Sequence, residues 1–423
     1  MRYHTLQEWL AWQEQLHPRA IDMGLERVRT VADALELLPA DCPVLTVAGT
    51  NGKGASVAYA ASILKASGYR VGAYTSPHLL RYNERICIDG EPVADQSLLR
   101  AFDAIDQARG SLTLSYFEFG TLAALWLFRE ARVDVQVLEV GLGGRLDAVN
   151  VLDADVALIS SIGLDHADWL GTDREQIGRE KAGILRPGRP AVFAGTDMPA
   201  SIARYAEELG ADLAVAGRDY RWEISADGGW AYHGRAWQLE GLPAPALRGR
   251  VQYANAAGVL RALEALASRL PLERAAVADG LSGARLPGRM QRLPGAVDWV
   301  LDVAHNADSA AVLADSLREQ PVSGRRVAVF ALLARKDADA VLAPLRGLFD
   351  GWYLMRLPDP DAWSVEALRD KLRGETVLGD DEPGVLLPAL GESLEPGDQA
   401  VVFGSFRTVE EVLRHHPRQG VPE

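Results

Sequence analysis

Residues 43–54 read PVLTVAGTNGKG, and this stretch decides the fold of the first part of the chain. A short apolar run rich in β-branched residues leads into a turn with three glycines and one lysine, Lys53. The Ala-rich segment that follows, Ala55–Ser67, favours a helix. A strand, a glycine-rich loop and a helix in this order direct backbone N–H groups and a helix N-terminus towards a phosphate. The stretch therefore predicts a nucleotide-phosphate site at Gly49–Gly54, where Lys53 supplies a positive charge.

The loop departs from the common pattern G-x-x-x-x-G-K-[ST] at two positions. Val47 stands where that pattern has its first glycine, and Gly54 stands where it has a hydroxyl residue. A glycine-rich turn after a strand is also compatible with a tight connection that binds nothing. The closely spaced glycines and the lysine directly before the helix favour the phosphate site over that alternative.

The bulk properties of the chain exclude several classes of protein. Its 423 residues are a usual length for two domains. A formal net charge of −14 argues against nucleic acid or an anionic membrane as partner, because binding to either requires a basic surface. Residues 1–18 have the pattern of an amphipathic helix and lack the apolar core of a secretion signal. Two cysteines, Cys42 and Cys87, are too few for a disulfide framework, which favours a cytoplasmic location.

Apolar segments alternate with helix-forming segments from residue 44 to about residue 283, which predicts a mainly parallel, doubly wound α/β sheet. Between residues 221 and 239, two strand-like halves flank Asp227-Gly228-Gly229, and this pattern predicts a hairpin. The strands of the main sheet are predicted at Val44–Ala48, Arg70–Tyr74, Asp134–Val140, Val156–Ile159 and Pro190–Phe193.

Turn-forming residues are concentrated between residues 283 and 296, where Pro287-Gly288 and Pro294-Gly295 both occur. A second alternation follows, with strands predicted at Trp299–Val303, Arg326–Leu332 and Gln399–Phe403. We therefore predict an N-terminal domain at residues 1–283, a linker at 284–297 and a smaller C-terminal α/β domain at 298–423.

Four polar residues of the first part differ in how well their sequence positions suit a ligand. Glu139 ends an apolar strand just before a glycine-rich loop, which favours a Mg²⁺ ligand over an acid at a solvent-facing strand edge. His166 follows another strand, and a ligand and a structural hydrogen-bonding residue explain it equally well. Ser76 by itself has the pattern of a turn or N-cap residue. Lys181 lies inside a predicted helix, and from the residues alone we expect it to be solvated.

In the second part, Asp302, His305 and Asn306 cluster where a strand passes into a helix, the place where open α/β sheets bind ligands. Arg289 lies in the predicted linker and is suited to a phosphate. For each of these residues a capping or turn role is the alternative interpretation.

Ten segments together resemble the bifunctional dihydrofolate synthase/folylpolyglutamate synthase family of the Mur ligase superfamily. They run in the family's order from Ile21 to Val409 and therefore cover most of the chain. In that order they read IDMGLERV, VAGTNGKG, YTSPHLLRYNERI, YFEFGTLAALWLF, LEVGLGGRLDAVN, SIGLDHADWLG, IGREKAGI, LPGRM, LDVAHN and FGSFRTV.

The resemblance implies an N-terminal P-loop ATPase-type domain and a smaller C-terminal Rossmann-like domain, with the active site between them. It implies one or two Mg²⁺ ions held by Ser76, Glu139 and His166, K⁺, and carbamylation of Lys181. The residues that would bind ATP are Thr50, Asn51, Gly52, Lys53, Gly54, Asn255, Arg289 and Asp302. The residues that would take part in catalysis are Lys53, Lys181, Arg289, Asp302 and His305, the last near the phosphate and the incoming amine. The pterin-substrate site would be lined by Ile21, Asp22, Met23, Ser115, Tyr116, Phe117, Glu118, Leu146, Asp147 and Ala148.

The implied activity is an ATP-dependent ligation of L-glutamate through an acyl phosphate. Dihydropteroate would give dihydrofolate, and reduced folates would give folylpolyglutamates. The implied protein is cytoplasmic and monomeric and has small-molecule substrates only. Two alternatives stay open, namely a folylpolyglutamate synthase without the dihydropteroate activity and a catalytically silent nucleotide-binding relative. A cell-wall Mur ligase is disfavoured, because its additional domain of roughly 100 residues would precede the loop, which here begins at Gly49.

The sequence departs from the family at one position of the glycine loop. Relatives usually carry Ser or Thr directly after GTNGKG, whereas this chain has Ala55 followed by Ser56. If the family hydroxyl contacts a metal ion or a phosphate, this chain lacks it or replaces it with Ser56 or water.

Overall fold

The structure is a computed structural model and describes residues 1–19 and 21–415. The chain forms two compact units, the first of residues 1–246 and 252–285, the second of residues 247–251 and the chain from residue 286 onward. The last residues of the predicted C-terminal domain, 416–423, lie outside the described residues. Within the described part, none of the helices has the length and apolar character that a membrane crossing requires.

The main sheet of the first unit has eight strands, and six of them run parallel. Their bounds are β1 Val44–Ala48, β2 Val71–Tyr74, β3 Ile86–Ile88, β4 Glu91–Pro92, β5 Val135–Glu139, β6 Val156–Ile159, β7 Pro190–Phe193 and β8 Asp212–Val215. The spatial order is β4-β3-β2-β5-β1-β6-β7-β8, with β3 and β4 antiparallel at one edge. All five residues of β1 are buried, as expected for a central strand with helices on both faces. The predicted doubly wound sheet is confirmed.

Ten helices described in the first part of the chain surround this sheet. They are α1 Leu6–Leu16, α2 Glu26–Ala34, α3 Lys53–Ala66, α4 Asp95–Arg109, α5 Tyr116–Ala131, α6 Ala167–Leu170, α7 Arg174–Ala182, α8 Ala200–Leu209, α9 Val251–Leu266 and α10 Arg274–Gly283. On one side of the sheet, the core contains the fully buried rings of Trp9, Phe102 and Phe119, whose centroids lie 5.5–6.4 Å apart. These rings fix α1 and α4 against α5.

A small antiparallel sheet follows the main sheet along the chain. It consists of β9 Arg221–Ile224, β10 Trp230–His233 and β11 Gln238–Leu242. The hairpin predicted around Asp227 is confirmed, because β9 pairs with β10. The third strand, β11, was not expected, since Gly241 interrupts its pattern.

The second unit contains a six-stranded sheet. Its strands are β12 Gln291–Leu293, β13 Asp298–Leu301, β14 Arg326–Phe330, β15 Gly351–Met355, β16 Val377–Asp381 and β17 Gln399–Phe403. Their spatial order is β12-β13-β17-β14-β15-β16. Only β12 is antiparallel to its neighbour. The helices are α11 Ala307–Arg318, α12 Ala338–Leu342, α13 Val365–Lys371, α14 Pro383–Ser393 and α15 Phe406–His415. The predicted linker 284–297 thus contains β12, whose hydrogen bonds to β13 make it part of this sheet.

Sheet order brings several predicted site residues to one edge of the first unit. The strands β2, β5, β1 and β6 are consecutive neighbours and parallel, so their carboxyl ends meet at the same edge. Ser76 follows β2, Glu139 is the last residue of β5, the glycine loop follows β1, and His166 follows β6. This is the edge at which open α/β sheets bind ligands.

Candidate active site

The glycine loop between β1 and α3 is held by the chain that follows β6. Thr50 donates its backbone N–H to the Ser161 carbonyl at 2.8 Å, and its hydroxyl donates to the Gly163 carbonyl at 3.1 Å. Asn51 donates its N–H to the Ser161 hydroxyl at 3.1 Å. Gly52 caps α3 with a φ of 87°, a conformation that favours glycine. The helix N-terminus is thereby presented at the edge of the sheet, as the sequence predicts for a phosphate site.

Asn255 lies against this loop. A Cβ atom on Gly52 would stand only 2.6 Å from the Asn255 Oδ1 atom, so a side chain at Gly52 would displace the amide. Asn255 belongs to α9, and its side chain is buried. The structure therefore brings together the loop and this predicted ATP residue, which are about two hundred positions apart in sequence.

Two lysines converge on a single carbonyl oxygen of the loop. The Lys53 Nζ atom donates to the Gly49 carbonyl at 3.1 Å and to the Thr50 carbonyl at 3.2 Å. The Lys181 Nζ atom donates to the same Gly49 carbonyl at 3.0 Å. Lys181 is buried, with 5% of its surface exposed, so the expectation of a solvated helix lysine is wrong.

The electrostatic environment of Lys181 disfavours its charged form. Burial and the nearby charge of Lys53 lower the pKa of Lys181 from 10.5 to about 7, against the opposing pull of Asp165 and Asp147. A large part of the Lys181 amine is therefore neutral near pH 7, and a neutral amine is a nucleophile.

A second glycine loop, residues 141–144, explains how Lys181 reaches the interior. A Cβ atom on Gly144 would lie 2.9 Å from the carbonyl oxygens of Glu180 and Lys181. Arg145 donates its backbone N–H to the Glu180 carbonyl at 2.9 Å. The close approach of this loop to the backbone of α7 requires glycine and directs Lys181 towards the edge of the sheet.

The predicted metal ligands Ser76 and Glu139 are neighbours. Ser76 donates its backbone N–H to Glu139 Oε2 at 3.1 Å. Glu139 is 5% exposed, so the alternative of a solvent-facing strand edge is wrong. His166 has a φ of 53°, a strained conformation for a non-glycine residue, and its Nε2 atom lies 3.9 Å from Asp165 Oδ1.

Two of these three residues, Ser76 and Glu139, offer the oxygen ligands that a hard divalent cation prefers. Over residues 1–19 and 21–415, no cluster of three or more His, Cys, Asp or Glu side chains is arranged to hold a metal ion. Ser76 and Glu139 offer one hydroxyl and one carboxylate side by side, and His166, whose side chain is 37% exposed, offers one imidazole. Mg²⁺ characteristically binds through one or two carboxylates together with substrate phosphates, so the residues present fit this ion.

Three segments predicted to line the pterin site come together beside the second glycine loop. A Cβ atom on Gly141 would lie 2.6 Å from the Phe117 ring, and one on Gly143 would lie 3.5 Å from Met23 Cε. Asp147 accepts backbone N–H groups from Leu142 at 2.8 Å and from residue 149 at 3.0 Å. Burial raises the pKa of Asp147 to about 6, although these hydrogen bonds oppose the shift.

The remaining residues of the predicted pterin set differ in exposure. Ser115 and Glu118 are buried at the start of α5, where they form a capping box that gives both a structural role. Ala148 is buried at the start of a short 3₁₀ helix, Ala148–Val151. Tyr116 and Leu146 are half-buried, and Ile21 is 38% exposed.

In the second unit, the predicted residues form a compact group at the β13–α11 turn. Asp302 accepts backbone N–H groups from Met290 at 2.9 Å and from Ala304 at 2.8 Å. Burial raises the pKa of Asp302, against the nearby charge of Arg289 and the two hydrogen bonds. The His305 Nδ1 atom lies 2.7 Å from the Val303 carbonyl, so Nδ1 carries the proton and Nε2 is the acceptor nitrogen in neutral His305.

Two further predicted residues flank this group. The Arg289 guanidinium lies over the Phe406 ring at 5.2 Å. Asn306 caps α11, since its Oδ1 atom accepts the N–H of Ser309 at 2.9 Å. The capping interpretation is therefore correct for Asn306.

Sequence reasoning missed several residues that organise these sites. Asp165 acts electrostatically on Lys181, Ser161 holds the glycine loop, Phe406 supports Arg289, and Arg27 contacts two predicted pterin residues. A signal existed for all four, because Arg27, Ser161, Asp165 and Phe406 lie inside the matched segments IDMGLERV, SIGLDHADWLG and FGSFRTV.

Ser56 cannot replace the hydroxyl that is missing at Ala55. Its side chain is completely buried, and its Oγ atom donates to the Gly52 carbonyl at 3.0 Å inside α3. A hydroxyl held in this way, one turn back along its own helix, has no surface that a ligand can reach.

Comparison with known proteins extends over both units. Residues 288–406 match the family described as "Mur ligase, glutamate ligase domain". The chain is 44% identical over 408 residues to the dihydrofolate synthase/folylpolyglutamate synthase of Escherichia coli (strain K12), covering 96% of this chain and 94% of the relative. E. coli FolC in complex with DHPP and ADP has a TM-score of 0.92 at 43% identity, with 97% of each chain covered.

A second solved structure supports the same assignment. It is a bifunctional folylpolyglutamate synthase/dihydrofolate synthase with Mn, AMPPNP and L-glutamate bound, and it has a TM-score of 0.89 at 43% identity. The likeness covers 97% of this chain and 98% of that chain. Because the sequence identity is 43–44% and spans nearly the whole chain, it shows membership of the same family in addition to a shared fold. The chain belongs to the dihydrofolate synthase/folylpolyglutamate synthase family of glutamate ligases.

Proposed function

We propose that the protein joins L-glutamate to dihydropteroate and to the γ-carboxyl group of reduced folates, with ATP as co-substrate. The observation that carries the proposal is the edge of the first sheet, where a phosphate-type loop, two lysines and a buried carboxylate meet. The E. coli relative, 44% identical over 408 residues, is a dihydrofolate synthase/folylpolyglutamate synthase.

The proposed reaction has two steps. An oxygen of the substrate carboxylate attacks the γ-phosphorus of ATP, which forms an acyl phosphate and releases ADP. The amine of glutamate then attacks the acyl carbon, so that a C–N bond forms and phosphate leaves. In the first step one anion attacks another, and the protein must therefore supply positive charge and alignment.

Thr50, Asn51, Gly52, Lys53 and Gly54 would bind the ATP phosphates. The backbone N–H groups of Gly52, Lys53 and Gly54 lie at the N-terminus of α3, which favours negative charge, whereas those of Thr50 and Asn51 are donated to Ser161. Lys53 donates to two loop carbonyls, and these weak partners can be exchanged for phosphate oxygens. Asn255 is proposed to contact ATP from its position beside Gly52.

Ser76, Glu139 and His166 would hold one or two Mg²⁺ ions. When bound, the ion neutralises phosphate charge and aligns the reacting oxygens. The Ser76 N–H donates to Glu139 Oε2 at 3.1 Å, and this hydrogen bond helps to orient the carboxylate. K⁺ is a further part of the proposal, and replacing K⁺ by Na⁺ in the assay tests it.

Lys181 is proposed to be carbamylated. The neutral amine attacks CO₂, a C–N bond forms, and one proton is released, which leaves a carbamate anion in place of a cation. The pKa of about 7 makes the amine available, and the product removes the repulsion between two lysines that share the Gly49 carbonyl. Intact-mass measurement in bicarbonate, with Lys181→Gln as the control, tests this: the wild type should gain 44 Da and the variant should not.

Arg289, Asp302 and His305 are proposed to contact ATP and the incoming amine. Both carboxylate oxygens of Asp302 accept backbone N–H groups, so we assign it to positioning. The Nε2 atom of His305 is the acceptor nitrogen, and it is suited to take the proton that the glutamate amine must lose.

The pterin substrate would be bound by Ile21–Met23, Ser115–Glu118 and Leu146–Ala148. Phe117 and Met23 supply apolar surface beside the second glycine loop, and Asp147 supplies a polar group in an apolar setting. Such a combination suits a flat heteroaromatic ring with hydrogen-bonding edges.

The experiment supplies purified protein with ATP, Mg²⁺, L-glutamate and either dihydropteroate or a reduced folate. We expect ADP release with both acceptors and one new amide bond for each ADP formed. Turnover of the folate alone would favour a monofunctional folylpolyglutamate synthase, and no ADP release with either acceptor would favour a catalytically silent relative. The proposal includes a monomeric protein in the cytoplasm, and light scattering of the full chain tests the oligomeric state.

A further inference from the structure

The stretch that contributes Ile21, Asp22 and Met23 to the proposed pterin site has no regular structure of its own. Residues 21–24 form neither helix nor strand, and they lie between α1 and α2. A loop of this kind loses conformational entropy when it becomes part of a binding site, unless other contacts already fix it. The contacts that fix this loop therefore influence how well the pterin substrate binds.

Arg27 connects this loop to the rigid part of the same site. One terminal nitrogen of its guanidinium lies 2.7 Å from Asp22 Oδ2, and the other donates to the Asp22 carbonyl at 3.0 Å. The second terminal nitrogen also lies 3.0 Å from Glu118 Oε1, and Nε donates to Glu118 Oε2 at 3.4 Å. Arg27 thus spans two segments of the proposed site that are separated by more than ninety residues.

The position of Arg27 in its helix is unfavourable for a cation. It is the second residue of α2, where the helix dipole places positive partial charge. The two carboxylates offset this cost, and they lie in different segments. A residue that served the helix alone would be an acid here, as Glu26 is. The positive charge of Arg27 is therefore explained by its contacts with Asp22 and Glu118 and not by its place in the helix.

Both ends of the bridge are themselves anchored. Glu118 is buried and accepts the backbone N–H of Ser115 at 2.7 Å within the capping box of α5. On the other side of the loop, His17 contacts Asp22 Oδ2 through Nε2 at 2.9 Å and Thr113 through Nδ1 at 2.8 Å. Asp22 is therefore held by His17 and Arg27, and Arg19 Nη1 lies 3.5 Å from Asp22 Oδ1. Of these residues, Arg27 is the one that also contacts Glu118.

We propose that Arg27 is a positioning residue for the pterin substrate, which holds the loop 21–24 in register with the start of α5. The inference rests on the proposed function, because it concerns the binding of that substrate. Arg27 acts through Asp22 and Glu118 and leaves the ATP half of the site unaffected.

Arg27→Met removes the charge and keeps most of the stem, Arg27→Lys keeps a charge without the fork, and Arg29→Met is the matched control on the exposed side of α2. We expect Arg27→Met to raise the KM for dihydropteroate about tenfold or more, with the KM for ATP within about twofold of wild type. The KM of Arg27→Lys for dihydropteroate should lie between those of the wild type and Arg27→Met. Arg29→Met should have the KM values of the wild type.

Hydrogen exchange on the same proteins gives a readout that does not depend on turnover. Amides of residues 21–25 should exchange faster in Arg27→Met, while those of the glycine loop 49–54 should be unchanged. An equal rise in both KM values, or unchanged exchange at 21–25, would overturn the positioning role. A wild-type protein that turns over neither acceptor would instead count against the proposed function, and the exchange result would then decide the inference by itself. If Arg27→Met does not fold, Arg27→Lys carries both measurements.

Discussion

The carboxyl edge of the first sheet and the β13–α11 turn of the second unit both carry proposed catalytic residues, but their local energetics differ. At the sheet edge, Lys53 and Lys181 donate to one carbonyl, and burial disfavours the charge on Lys181. At the turn, Asp302 accepts two backbone N–H groups and Asn306 caps a helix. The first region concentrates like charges, whereas the second satisfies its polar groups locally.

This difference predicts two kinds of mutational behaviour. Groups that are held against electrostatic repulsion cost stability, and their removal should abolish activity without unfolding the protein. Groups whose hydrogen bonds hold the backbone contribute to stability, and their removal should reduce both properties. Measurements of activity and stability on the same variants therefore test whether the two regions differ as described.

Lys53→Ala should have the largest effect. We expect turnover to fall by a factor of about 10³ or more, since a preorganised charge next to the transferred phosphoryl group is lost. In CO₂-depleted buffer, where Lys181 keeps a free amine, the melting temperature should stay the same or rise, because the repulsion between Lys53 and Lys181 disappears. ADP release and thermal unfolding measure the two effects, and Lys65→Ala, at an exposed position of the same helix, is the control. Retained turnover would remove the phosphate role of Lys53.

The predictable part of the molecule is the part where a local pattern and its tertiary setting agree. Val44–Ala48, Val156–Ile159 and Pro190–Phe193 were predicted with the bounds that the structure has, because these strands are short, buried runs that are apolar apart from Thr46. The strands β15 and β16 were not predicted. Gly351 opens the first, and β16 is an edge strand that contains Gly379 and two aspartates.

The site was predictable to the extent that it lies at strand ends. Ser76 and Glu139 are neighbours because β2 and β5 are neighbours. The strand pattern indicated Glu139 as a ligand, whereas Ser76 was indicated only by the resemblance to the family. The burial of Lys181 could not be derived from its helix, since the cause lies in Gly144, almost forty residues earlier in the chain. The bridge formed by Arg27 is likewise set by tertiary contact with Asp22 and Glu118.

Lys181→Met should change how stability depends on pH. The folded pKa of about 7 lies below the ordinary value of 10.5, so between these values the unfolded chain binds more protons. Stability of the wild type should therefore rise with pH from about 7 to 10.5, and below pH 7 the full cost of charging the buried amine is present. The variant lacks this cost, which at 1.36 kcal/mol per pKa unit is at most roughly 5 kcal/mol.

Urea unfolding at pH 6 and pH 9 in CO₂-depleted buffer measures this effect. The variant should exceed the wild type in stability by more at pH 6 than at pH 9, while a Lys65→Met control should show no such difference. A stability gap that is independent of pH would mean that Lys181 is charged in the folded protein and has a partner that compensates it.

Asp302→Ala should lower both properties, in contrast to Lys53→Ala. The substitution leaves the N–H groups of Met290 and Ala304 without their acceptor, at a cost of about 1–3 kcal/mol for each group that water cannot reach. Asp302→Asn keeps one acceptor oxygen and should lose roughly half as much. Urea unfolding and ADP release are measured on both variants. If Asp302→Ala lost activity at full stability, the two regions would behave alike.

Ser56→Ala should have the smallest effect and bears on the missing hydroxyl at Ala55. The Ser56 hydroxyl is buried and donates to the Gly52 carbonyl, which already accepts the Ser56 backbone N–H at 2.9 Å. Its loss therefore leaves that carbonyl satisfied, and stability should change by less than about 1 kcal/mol. Turnover and the Mg²⁺ dependence of the rate should equal those of the wild type, since no ligand reaches this oxygen. A tenfold fall in turnover, or a shift in the Mg²⁺ requirement, would mean that the start of α3 rearranges when nucleotide binds and exposes Ser56. The glycine loop 49–54 would then change conformation on nucleotide binding, and catalysis at this edge of the sheet would depend on induced fit instead of preorganised charge.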